Sequence, residues 1–558
     1  MKSKKILACI LTLSIASSLF LGCGKSKASN PGKESAMDKD QYLNVLLGNE
    51  PKSLDPAKTY DMYASAVHTN IQEALTRLGV DENGEDVIKE GIAKEWKESE
   101  DGLTWTFKLR DAKWSDGQPV TAEQFVYGIT RTLDGNTASE MAYLLFPIKN
   151  AEEFNLGKVK AEELGVKAID DKTLEIKLHA PCAYFLNLTY SKIMEPQRKD
   201  IVEKHGDKHG SESDTLVYTG PFKISEWVHN SKIELVKNPE YWDAENVKLE
   251  KATMKIIKDE SARMNEIYNG SIDLGPVSKP EWVEKFDSTG EFEVKKAFSA
   301  SADYSFFNQE NKYFKNAKIR KAFLIANDRE GTIKIVNRGL ADPATAWVPP
   351  TVKVGDKEFR KANDFESVTQ LIKENPDPKA LFIEGLKEEG LDPDPSKHTI
   401  KLIEGGTDAF AKEKAEFAQQ NYNKKLGVNI DVDYVEWGTF IEKTDNMDFE
   451  LAGIGVNPDY NDPITYFDMF MSDRATIKTG WKNEKYDELI RKTMTTNDQE
   501  ERMKLFKEAE KIFIYDDAVI SPVAWKYKNT YVHKYVKNYT SPVFGSLDLK
   551  TAYTQGRE

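Results

Sequence analysis

Two periodicities alternate along the chain. Leu103, Trp105, Phe107 and Leu109 are separated by polar residues, the pattern of a strand with one buried face. Asp116-Gly117 marks a turn after it. Thr121 with Gln124 forms a capping box, and Phe125, Ile129 and Leu133 then recur at helical spacing. Further strands are predicted over Leu174–Leu178, Phe222–Val228 and Ile233–Val236, the last two joined by the hairpin-like "HNSK". Helix and strand intermix without a sequence repeat.

The second half is more regular. Ala409–Leu426 is polar with a spaced apolar face, and Gly427 stops it as a C-cap would. Val428, Ile430, Val432 and Tyr434 alternate as a strand, a short helix follows over Trp437–Lys443, and an apolar strand over Phe449–Ile454. Helix, strand, helix, strand is the grammar of an α/β sheet, whose ligands sit beyond the carboxyl ends of the strands. The stretch "GIGVNPDYNDP" begins at such an end. Its two acids, Asp459 and Asp462, are therefore open to two readings, as turn chemistry or as groups held out to a ligand.

A chain of 558 residues, 39% of them hydrophobic, buries a sizeable core and suggests two to four domains. The net charge of −14, with no basic stripe to offset it, disfavours a nucleic-acid partner. Lys2, Lys4 and Lys5 precede the apolar run Ile6–Leu21, which ends at Gly22 and Cys23. This reads as a secretory signal over 1–22, since the run is short for a bilayer span. "FLGC" resembles a bacterial lipobox with Phe20 in place of the usual aliphatic residue, so Cys23 is the expected lipidation site and 23–41 a polar tether. Extracytoplasmic placement on a lipid anchor follows. Cys182 is then the one remaining cysteine; in "HAPCAYFLNLTY" it reads as core, and no internal disulfide forms.

No nucleophile elbow, phosphate loop or C-x-x-C occurs. His205 and His209 have the spacing of a helical metal pair, but Gly206 and Gly210 argue for a solvated loop. No metal, cofactor or catalytic residue is assigned, and a surface-anchored hydrolase has no motif to support it.

Several segments, in order, resemble the family 5 extracellular solute-binding proteins, in particular oligopeptide-binding lipoproteins of ABC importers. They are "NEPKSLDPAKTYD", "GIAKEWKESEDGLTWTFKLRDAKWSDGQPVTAEQFVYG", "TGPFKISEWVHNSKIELVKNPEYWD", "FFNQENKYFKNAKIRKAFLIANDRE" and "PDYNDPITYFDMF". The resemblance implies a type II periplasmic-binding-protein clamshell of α/β class, two lobes with an extra domain. Lobe I would comprise 42–62, 195–302 and 521–558, the extra domain 63–194 and lobe II 303–520. The crossings would lie near "AFSASADYSFFNQ" and "DAVISPVAWKYKN". It implies a monomeric carrier that encloses a peptide and delivers it to ABC permease subunits. Asp459 matches the acid that pairs with the peptide ammonium, and Glu50 an acid of the first lobe. Tyr127, Trp437 and Tyr304 match cavity aromatics. Backbone at Lys52 and at Val456, Asn457 and Pro458 would pair with an extended peptide. Gly453 stands where a base for the ligand carboxylate would be, so peptide length stays open. A peptide-signal receptor, or a carrier of a nickel complex, sugar or haem on the same fold, remains an alternative.

Overall fold

The computed structural model describes residues 36–277 and 279–557. The expected leader, the lipidation residue Cys23 and most of the tether fall outside the described residues.

An 11-stranded mixed sheet organises the molecule. Its strands run in the spatial order Asn429–Val435, Thr399–Gly405, Leu451–Val456, Phe292–Phe307, Ile520–His533, Leu274–Pro276, Tyr42–Leu47, Lys251–Ile256, Lys232–Lys237 and Phe222–Val228, with Ala341–Pro343 also paired to Ile520–His533. Two long antiparallel strands, Phe292–Phe307 and Ile520–His533, form the middle and connect both halves of the sheet. Their register slips between Phe298 and Ala302, where Ala300 takes a left-handed φ of 55°. A bulge of this kind bends and twists a strand locally.

On one side of that pair, Thr399–Gly405 lies parallel to both Asn429–Val435 and Leu451–Val456. The carboxyl ends Gly405, Val435 and Val456 therefore emerge at one edge. The helix Ala409–Leu426 makes the first crossover. Asp408 caps it by accepting the Ala411 N–H at 2.8 Å, and Gly427 ends it at φ 76°, a conformation that glycine adopts without a Cβ clash. On the other side Tyr42–Leu47 is parallel to Lys251–Ile256.

A separate four-stranded antiparallel sheet, in the order Ala93–Glu98, Thr104–Leu109, Thr173–Lys177 and Val166–Asp170, packs against the helix Ala122–Leu133. Trp105, Phe107 and Leu109 are buried as their alternation requires, and so are Phe125, Ile129 and Leu133. The Thr121 N–H donates to Gln124 Oε1 at 3.1 Å, the backward half of the expected box.

Three expectations shift. The strand after Trp437–Asp445 is Leu451–Val456 rather than Phe449–Ile454. Asn308 draws the residues before it out of the ladder, donating from Nδ2 to the carbonyls of Met447 and Phe449, each at 2.9 Å. His209 does not belong to a solvated loop: it is buried, with Nδ1 3.4 Å from Asp55, which also grips Arg131 at 2.6 Å. His205 ends the helix Lys199–His205, so the two histidines share no helical face. Cys182 is buried, and burial pushes its thiol up to about 12.

Candidate ligand-binding site

The loop leaving Val456 is fastened at nearly every residue but one. Val456 is buried opposite Ala302, and Asn457 Oδ1 accepts from Ser301 Oγ. Tyr460 stacks on Tyr184 with ring centroids 4.9 Å apart. The Asn461 carbonyl accepts from Asn187 Nδ2 at 2.9 Å, and its Oδ1 from the Lys353 N–H at 2.8 Å. Asp462 is buried in a two-pronged pair with Arg502 (2.8 and 2.9 Å) and caps the next turn by accepting the Ile464 N–H at 3.0 Å. Asp462 is thus turn chemistry tied to a buried ion pair.

Asp459 is the exception. Its carboxylate accepts one hydrogen bond, from the Tyr143 hydroxyl at 2.9 Å, although a carboxylate has about four acceptor positions. The residue is exposed to solvent, yet the surrounding protein displaces enough water to push its carboxyl above the ordinary range. Tyr143 and, at longer range, the Lys192 ammonium partly offset that rise.

Asp459 borders a cavity of about 320 Å³. Its chain neighbours Pro458 and Tyr460 line it too, together with Ser65, His68, Lys192 and Glu195 and with the tail segment Pro542 and Phe544–Ser546. That tail is held because Asp86 accepts the Val543 and Phe544 N–H groups at 2.8 Å each. Among the other lining residues, His68 Nδ1 lies 2.8 Å from Glu195, and Arg77 lies 3.0 Å from Glu73.

Of the nine residues singled out in sequence, Asp459 and Pro458 line this cavity and the other seven do not. Glu50 accepts from Trp227 Nε1 (2.8 Å) and from the Asn230 N–H (2.7 Å), and lies 2.8 Å from His229 Nδ1, so its carboxylate is spent on the turn of a neighbouring hairpin. Tyr127 is half-buried on its helix, its phenol raised by desolvation. Tyr304 is fully buried, edge-on to Trp347 at 4.8 Å. Trp437 is 54% exposed and stacks on Phe440. The Lys52 ammonium donates to the Tyr60 hydroxyl and sits 4.5 Å from the ring centre. A Cβ on Gly453 would find only the Tyr304 carbonyl, at 3.8 Å. Sequence reasoning missed Tyr143, His68, Lys192 and Glu195. Only Lys192 left a trace, as a cation inside the apolar run "LTYSKIM".

Residues 87–477 match the family described as bacterial extracellular solute-binding proteins, family 5. The chain is 34% identical over 558 residues to the oligopeptide-binding protein OppA of Bacillus subtilis, covering 98% of each. In structure it is similar to the unliganded open form of the periplasmic murein tripeptide-binding protein MppA (28% identity, TM-score 0.76, 94% of this chain and 99% of that one). It is likewise similar to Listeria monocytogenes OppA bound to peptide (29% identity, TM-score 0.73, 93% and 99%). The chain belongs to the family 5 bacterial extracellular solute-binding proteins and has their type II periplasmic-binding-protein fold. Members of that family are binding proteins of transport systems rather than enzymes, and they work outside the cytoplasm. Among the described residues no helix is long and apolar enough to cross a membrane, and no group of three or more His, Cys, Asp or Glu is arranged to hold a metal ion.

Proposed function

We propose that this chain captures oligopeptides between its two lobes and delivers them to the permease of an ABC importer, held at the membrane by a lipid on Cys23. Asp459 carries the reading: it lines a cavity, its carboxylate has free acceptor capacity, and the surrounding protein raises its pKa, a penalty that a ligand ammonium would offset. Main chain at Lys52 and at Val456–Pro458 would add the peptide as an extended strand, which favours backbone over side-chain identity. In this reading Glu50 acts by fixing the hairpin turn it grips, and Tyr127, Tyr304 and Trp437 shape the lobes around the ligand.

The proposed division is 42–62 with 195–302 and 521–558 as one lobe, 63–194 as the extra domain and 303–520 as the other lobe. The bulge at Ala300 in the central strand pair supports a hinge there. Closure over the ligand would present both lobes to the permease. Mass spectrometry of small molecules released from the purified protein on denaturation tests the ligand class. Peptides with free amino termini are the expected result; a homogeneous non-peptide ligand would overturn the reading.

A further inference from the structure

Six Asp, Glu, His, Lys or Arg side chains line the cavity: His68, Glu73, Arg77, Lys192, Glu195 and Asp459. Four of them are paired, His68 with Glu195 at 2.8 Å and Arg77 with Glu73 at 3.0 Å. Lys192 and Asp459 are left over. Lys192 is 8% exposed, and its ammonium, which carries three donors, makes one hydrogen bond, to Ser65 Oγ at 2.7 Å. Among the described residues no carboxylate lies within ion-pair distance of it. A lysine this buried ordinarily has a partner. Two further polar atoms of lining residues, the Tyr190 hydroxyl and His68 Nε2, are also buried without one.

We infer that Lys192, backed by Ser65 and with Tyr190 as a second donor, receives a carboxylate of the bound ligand. The ligand would then be a zwitterion lying across the cavity, its ammonium on Asp459 and its carboxylate on Lys192. The volume of about 320 Å³ is at the small end for ligand pockets, so the ligand portion enclosed between the two charges is compact. The base that the strand before Asp459 lacks at Gly453 is thereby supplied by another residue lining the same cavity. Burial disfavours the lone ammonium and lowers its pKa, with Glu195, Asp61 and Asp459 opposing that at longer range, so an incoming carboxylate relieves a penalty already present in the free protein. The carboxylate has two sources, a peptide C-terminus or an acidic side chain.

This assignment rests on the peptide reading above, and one experiment separates the two. Calorimetry would compare trialanine, trialanine C-terminal amide and Ala-Glu-Ala amide on wild type, Lys192→Met and Lys192→Arg. The wild type should bind at least one carboxylate-bearing ligand about tenfold or more tighter than trialanine amide. Preference for trialanine identifies the C-terminus as the source, and preference for Ala-Glu-Ala amide the side chain. Lys192→Met should abolish that preference, bringing the three ligands to within about twofold of one another, and Lys192→Arg should restore part of it. Retained binding of trialanine amide by Lys192→Met is the control that the variant folds. Equal binding of all three ligands by the wild type, or a preference that survives Lys192→Met, overturns the Lys192 assignment and leaves the peptide reading standing. Binding of none of them overturns the peptide reading and this assignment with it.

Discussion

Asp459 and Asp462 are three residues apart and do opposite work. Asp462 is buried with both oxygens on Arg502, itself fully buried, so Asp462→Ala strands a guanidinium in the core. A loss of about 3–5 kcal/mol of stability is expected, read by denaturant unfolding, with no specific effect on ligand affinity beyond it. Asp468 adds a pH signature. Desolvation, with Arg474 opposing and Asp459 reinforcing, pushes its carboxyl from 3.8 up to about 6. Because the folded value is the higher one, the native state binds the extra proton, and stability falls as pH rises from about 4 through about 6. Asp468→Asn should remove that slope and stabilise the protein above it by on the order of 1–3 kcal/mol, measurable as melting temperature against pH. At this scale the sequence was only partly legible. "DYN-P" singled out Asp459, and Pro463 marked the Asp462 turn. Arg502, forty residues further on, and Tyr143, three hundred back, carry no local pattern that announces a partner, because ion pairs across a fold leave no periodicity.

Elements were legible where a local rule fixes them. Ala409–Leu426 ends where Gly427 signals its C-cap, and in the structure Asp408 caps its start. Gly427→Ala should cost about 1 kcal/mol, since its φ of 76° puts a Cβ in the left-handed region; thermal or denaturant unfolding reads it. Leu451–Val456 came out two residues late for the opposite reason. Asn308, distant in sequence, claims the carbonyls of Met447 and Phe449, so the apolar run starts before the ladder does. His209 fails in the same way: the glycines around it signal a loop correctly, and the contact with Asp55 that buries it is tertiary.

For the whole molecule, the ordered segments pointed to a family that the full-length likeness to known members bears out. What remained hidden was how the site is completed, because the cavity is lined by segments hundreds of residues apart. Among the described residues, Asp459 and Lys192 line that cavity with no ion pair of their own. In the proposed function Asp459 meets the ammonium of a bound peptide. Calorimetry of a released ligand peptide, with its amino terminus free or acetylated, tests this on wild type and Asp459→Ala. Acetylation should weaken wild-type binding at least about tenfold, Asp459→Ala should weaken free-amine binding by a similar factor, and the two losses should not add. Unchanged free-amine affinity in Asp459→Ala would contradict it.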